Sequence, residues 1–231
     1  MPSESSQTRQ RIGFLLVEFV IIVVGVLIAL AVDEWREDRE FSERELHILK
    51  SLAVDLVEDA YDFTEFLDNV HERERAAQYL IKLSATSDSD VSDWDKGPGE
   101  AIFQLAVTSR LQPTRGAFEE LITTGAGLAI HDRELVSYVG RYYATASDRI
   151  YVNALITPEI DRFRIALEEL GISYADKDDA AARRALASPK VQALVRSMAS
   201  VAGFVPYYVG DLVGYRDELA ERIDVEIAAR Q

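Results

Sequence analysis

Residues 12–32 read IGFLLVEFVIIVVGVLIALAV, 21 residues interrupted by a single charge, Glu18. As a helix rising about 1.5 Å per residue, this stretch covers about 30 Å, the thickness of a bilayer's hydrocarbon core. Trp35 follows at the depth where an interfacial indole sits. The pattern then changes. Asp33–Glu45 is nearly all charge and reads as a solvated stalk. Beyond it Leu49, Leu52, Leu56, Phe63, Phe66, Val70, Ala77 and Leu80 recur at spacings of three and four, with Asp59 and Arg73 as polar breaks. Neither glycine nor proline occurs between Val26 and Lys96. One helix is therefore predicted to leave the membrane and run on to about Ser84, its apolar seam requiring partner helices.

Residues 85–99, dominated by Ser, Asp, Gly and Pro, read as an acidic linker. Two short helices are predicted near Gly99–Arg110 and Thr114–Thr124, then a turn at Gly125-Ala126-Gly127. Asp132 suits the N-cap of a long helix to about Leu170, with a break expected at Thr157-Pro158. Residues 171–188 read as a loop with some helix. Ser188-Pro189 opens a last helix that Pro206 is expected to kink before an end near Ala229. Alternating apolar patterns are absent. The expected fold is all-α: a transmembrane helix continuing into an up-down bundle of about three long helices with a short helical insertion. The segments are a cytoplasmic N-terminus (1–11), a transmembrane helix (12–32), a stalk and first bundle helix (33–84), the linker (85–99) and the rest of the bundle (100–231).

Two rivals compete with the membrane assignment. Buried core helices seldom run this long without a polar stripe. A signal peptide would use Arg9 and Arg11 as its basic region and Ala29-Leu30-Ala31 as its cleavage site, but the apolar stretch is too long and Glu18 interrupts it. The flanking Arg9 and Arg11 favour a cytoplasmic N-terminus, while Arg36, Arg39, Arg44 and Lys50 pull the other way; long domains translocate despite such charges. Glu18 sits about six residues into the bilayer, where a carboxylate is expensive unless protonated, paired or facing protein. At 100° per residue Glu18, Ile22, Gly25 and Ala29 share a face, and Gly25-x-x-x-Ala29 has the spacing that lets helices approach closely. That face is the expected intramembrane interface, with a second copy or a multi-pass partner. The bland alternative is a glutamate that snorkels to the near headgroups.

Composition changes the picture in two respects. The net charge is −15, and because Glu4 and Glu18 cancel Arg9 and Arg11, all of it lies beyond residue 32. Phosphate backbones and anionic lipid headgroups repel such a domain, so nucleic acid is excluded as a partner. The absence of cysteine removes disulfides, thiolate metal sites and cysteine nucleophiles.

No motif for chemistry stands out. His47, His71 and His131 pair with no other histidine, although Glu43 precedes His47 by four residues and Asp68 precedes His71 by three. A di-iron bundle needs a fuller set of Glu-x-x-His motifs. Asp88, Asp90, Asp93 and Asp95 lack the glycine and glutamate of a calcium loop. Neither metal nor cofactor is expected, and no catalytic residue. The best candidate for a partner surface is Thr114–Ala144, with Glu119 and Glu120, the turn glycines Gly125 and Gly127, and Tyr142-Tyr143. Its competing description is a helix corner in which Phe118, Leu121, Leu128, Ile130, Leu135 and Tyr142 pack inward. The Tyr207-Tyr208 and Tyr215 group is expected in core or interface.

Glu18, Gly25, Leu27-Ile28-Ala29-Leu30 and Trp35 resemble the anchor of a widespread family of uncharacterised bacterial single-pass membrane proteins, G-E-I-x-L-V-x-I-G-I-L-I-A-L-x-x-x-x-W. Phe118-Glu119-Glu120-Leu121, Gly127-Leu128, Ile130, Leu135 and Tyr142-Tyr143 look like that family's second recurring block. Val17 stands where a glycine is usual, the N-terminus is less basic, and the C-terminal third matches nothing in the pattern. The resemblance implies an anchor, a helical domain and a cytoplasmic N-terminus in the bacterial inner membrane, and assigns no activity. The expected function is a membrane-anchored, non-enzymatic interaction or sensing module, oligomeric or bound to a multi-pass partner. The alternative is an accessory subunit of an ion- or proton-driven complex, with Glu18 as its protonatable group.

Overall fold

The computed structural model describes residues 4–85, 94–125 and 130–230, and in the first range the side chains of residue 19 and of residues from 21 onward. Helix α1 runs without interruption from Glu4 to Ala85. After it come α2 (Gly97–Ala106), α3 (Gly116–Thr123), α4 (Arg133–Arg149), α5 (Val152–Glu169), α6 (Asp179–Leu186) and α7 (Pro189–Ala228). No strand occurs among the described residues. The bundle is built on α1 packed against α7, with α4 and α5 also against α7 and the short α2 and α3 against α1.

The seam of α1 accounts for this arrangement. Leu49, Leu52, Leu56, Phe63, Phe66, Val70, Ala77 and Leu80 are all buried, and the facing residues Val195, Ala202, Val209, Leu212, Leu219 and Ile223 of α7 repeat at helical spacing. Burial on α1 begins at Glu45, and every described side chain before it is exposed. Glu45 fastens the point where α1 enters the bundle. Its carboxylate accepts from the backbone N–H of His131 (2.7 Å) and from Arg230 Nη2 (2.9 Å), tying the approach to α4 and the end of α7 to α1. Burial pulls the Glu45 carboxyl up, but these partners outweigh it and hold it below the ordinary range. Its contribution to stability is present above the unfolded pKa and lost as pH falls through the folded one.

Asp132 caps α4 as expected, accepting from Glu134 N and Leu135 N. Pro189 opens α7, but Ser188 makes no side-chain cap bond, and α7 continues through Pro206 as one helix. The expected break at Thr157-Pro158 falls elsewhere: Pro158 lies inside α5, and the chain breaks at Ile150-Tyr151. There the bonds Tyr151 N to Asp148 O, Asn153 N to Ile150 O and Ala154 N to Tyr151 O tighten the backbone from four-residue to three-residue spacing. Helix α2 starts inside the expected linker. Gly99 sits so close to the 177–178 backbone that an added Cβ would meet Lys177 O at 2.0 Å, and its N–H donates to Asp179 Oδ1 at 2.8 Å. Residues 86–93, with Asp88, Asp90 and Asp93, lie outside the described residues.

Among the described residues no helix is long and apolar enough to cross a membrane. Of the expected span Ile12–Val32, only Phe19 and residues 21–32 have described side chains.

Candidate functional site

Residues 107–115 form neither helix nor strand, although helices bound them on both sides. Their sequence explains why: Val107, Thr108 and Thr114 are β-branched, and Pro113 disfavours helical backbone at Gln112. A segment packed against a core must find partners for its backbone polar groups. Here helix side chains supply them. Arg73 Nη2 donates to Val107 O (2.8 Å) and Ser109 Oγ (3.3 Å). Arg164 Nε donates to Ala106 O (2.7 Å). Asn153 accepts from Leu111 N (2.9 Å) and donates to Leu111 O (2.8 Å). Asp59 Oδ1 accepts from Thr114 N (2.6 Å), and Asp55 Oδ2 from Ala117 N (2.8 Å).

Asp55, Asp59 and Arg73 lie on one flank of α1, Asp55 and Arg73 being 18 residues, or about five turns, apart. The bonds ascend α1 as they descend the segment, so the segment runs antiparallel to α1 beside its core face. The two polar breaks in the α1 seam are thus the clamps that hold an extended wall. Asp59 is fully buried, and its Oδ2 also accepts from the Tyr142 hydroxyl. Burial pushes the Asp59 carboxyl up, the N–H of Thr114 and the hydroxyl of Tyr142 oppose this, and the balance stays above the ordinary value. Burial, aided by Asp59, also raises the Tyr142 phenol.

Between this wall and α1 lies a cleft of about 870 Å³. Asp62, Glu65, Phe66 and Asn69 of α1 form one side; residues 108–110 and 112–116, with Glu119, form the other. The carboxylates of Asp62 and Glu65 and the guanidinium of Arg110 make no hydrogen bond or ion pair among the described residues. Arg115 is engaged, donating to Ser147 Oγ (3.0 Å) and lying over the Phe118 ring.

The expected partner surface is divided. Glu119 lines the cleft, while Glu120 and Gly125 are exposed outside it and Gly127 lies outside the described residues. Tyr142 and Tyr143 belong to no surface. Both are 1% exposed, Tyr143 stacked on Phe118 at 4.2 Å, because the wall and α3 close over them. The inward corner packing of Leu121, Ile130, Leu135 and Tyr142 is present, and Leu128 lies outside the described residues. Tyr207 is exposed, and Tyr208 and Tyr215 pack partly against the core. Of the expected intramembrane face, Ile22 and Ala29 are exposed and nothing lies within 4 Å of a Cβ built on Gly25; the Glu18 side chain lies outside the described residues. Among the described residues no three His, Asp or Glu side chains group as a metal site. Nothing in the expected site pointed to Asp62, Glu65, Asn69 and Arg110.

Asn153 gives the wall a direct test. Asn153→Ala leaves both polar groups of buried Leu111 unpaired and is expected to cost about 2–3 kcal/mol in urea unfolding. Asn153→Asp keeps the acceptor and should cost less. Equal costs would show that Leu111 O does not depend on the amide. Compared with known proteins, the chain matches no family model, no curated sequence and no solved structure.

Proposed function

We propose that this chain is a membrane-tethered helical interaction module of the bacterial envelope. Residues 12–32 lie in the inner membrane, the N-terminus is cytoplasmic, and the bundle is a non-enzymatic binding unit on the far side. The observation that carries this reading is the state of α1 before the bundle. Phe19, Ile21, Ile22, Leu27, Ile28 and Leu30 are each about 60% exposed, on a helix that becomes the core helix of the bundle without a break. A continuous apolar surface on all sides of a helix is what a lipid environment covers. The resemblance of Glu18, Gly25, Leu27–Leu30 and Trp35 to a bacterial anchor supports the same placement. Gly25 and Ala29 suit close approach of a second copy or a partner helix. The reading of Glu18 as a proton relay turns on a side chain outside the described residues.

The test is extraction. The full chain is expected to stay in the membrane fraction after a high-pH carbonate wash. A chain lacking residues 1–32 is expected in the soluble fraction with its helical circular dichroism retained. Release of the full chain by carbonate would sink the tether. A reporter fused at the C-terminus and active only beyond the cytoplasm fixes the orientation.

A further inference from the structure

We infer that the cleft between α1 and residues 108–116 is a docking groove for an extended, basic peptide segment, an inference that rests on the bundle's being an interaction module. Three observations carry it. The first is shape. The wall is clamped in register with α1 from Arg73 at Val107 to Asp59 at Thr114, which sets the groove along the helix. On α1 the cleft is lined from Asp62 to Asn69, a rise of about 10 Å or about three residues of extended chain, and the wall opposite continues past both ends. The volume of about 870 Å³ is that of a ligand site.

The second is the state of the wall's backbone. Leu111 has both its polar groups taken by Asn153. The N–H and C=O of its neighbours Arg110 and Gln112, which line the cleft, make no hydrogen bond among the described residues. An extended segment with free main-chain groups is a template on which a second extended chain adds by strand-like pairing. The third is charge. The acids Asp62 and Glu65 are uncommitted against one uncommitted cation, Arg110, and the whole chain carries −15. In a peptide that pairs with the wall, lysine or arginine at alternate positions gathers the cations on one face of the paired strand, and their long stems reach the carboxylates of Asp62 and Glu65.

The experiment uses the full chain in lipid nanodiscs and a fluorescein-labelled hexapeptide of alternating lysine and threonine, read by anisotropy. Two further probes are its glutamate counterpart and a form N-methylated at alternate amides. The lysine probe should bind, with both other probes weaker by about tenfold or more. Asp62→Asn with Glu65→Gln should weaken the lysine probe by about tenfold as well. Glu221→Gln with Asp224→Asn, which removes the same charge from exposed positions on α7, should leave it unchanged. No binding of the lysine probe would overturn the proposal. So would equal loss in the two double variants, or full binding of the N-methylated probe. Loss of peptide binding in a chain that still resists carbonate removes the groove and leaves the tether; carbonate release with peptide binding intact does the reverse.

Discussion

Replacing Asp59 by alanine is expected to cost about 3–4 kcal/mol and to lower the melting temperature by about 10 °C, because it orphans two donors in the core. The fully buried carboxylate of Asp59 holds Thr114 N on one oxygen and the Tyr142 hydroxyl on the other. Without it, the end of the wall and the α4 tyrosine both lose their partner beside α1. Asp59→Asn keeps the shape but presents an NH₂ to one of two donors, so an intermediate cost of about 1–2 kcal/mol is expected.

The pH dependence separates geometry from charge. The folded pKa of Asp59 lies above its unfolded value, chiefly through burial. Its contribution is therefore fully present below the unfolded pKa and lost as pH rises through the raised folded pKa. The cost of Asp59→Asn, followed by urea unfolding across the acid range, should shrink as pH rises toward neutrality. A cost that grows with pH would mean that the donors, not the burial, set the state of this carboxyl. Glu45 has the opposite sign, and being unchanged in both proteins it cancels from the comparison.

Much of the fold was legible because it is local and periodic. The seam from Leu49 to Leu80, the cap at Asp132 and the start at Pro189 are each written within a few turns of chain, and each is where the pattern puts it. The break between α4 and α5 was misplaced because proline was the only visible signal. Pro158 is accommodated inside α5, whereas Ile150 and Tyr151 keep helical dihedrals and break the helix only by changing hydrogen-bond partners. The cleft was illegible for a different reason. Asp62 and Arg110 are 48 positions apart, and only the clamps bring their segments alongside one another. The clue was in plain sight: Asp59 and Arg73 interrupt an otherwise apolar seam, and a charge kept in a core face must answer to something that packs there. Tyr142 packs inward as the helix-corner description has it, and Tyr143, expected with it on a partner surface, is buried too, because their neighbours Leu135, Val139 and Ala146 place both on the buried face of α4.

Arg73 is the harsher test of the clamp. It is 3% exposed, its Nε has no hydrogen-bond partner, and its Nη2 holds only a carbonyl and a hydroxyl, with no carboxylate among its bonds. Burial lowers its pKa to about 10, so it is still a cation at neutral pH. Such a group costs its own desolvation and repays part of it through two bonds and the burial of its stem, beside a small gap that Val70, Ile160 and Met198 also line. The three parts predict an order. Arg73→Ala removes bonds and packing together and is expected to lose about 3–4 kcal/mol, since the site opens into a void beside an existing gap of about 10 Å³. Arg73→Lys keeps the charge but not the two-point reach, and about 2–3 kcal/mol is expected. Arg73→Met keeps the packing and removes the desolvation cost, so about 1 kcal/mol is expected despite the lost bonds. In all three, amide exchange in residues 107–112 should quicken, because Val107 is no longer held to α1. A methionine variant as unstable as the alanine one would mean that the guanidinium bonds outweigh its burial. A methionine variant with wild-type exchange across the wall would mean that Arg73 is filling space, and the wall's register would then rest on Asn153 and Asp59 alone.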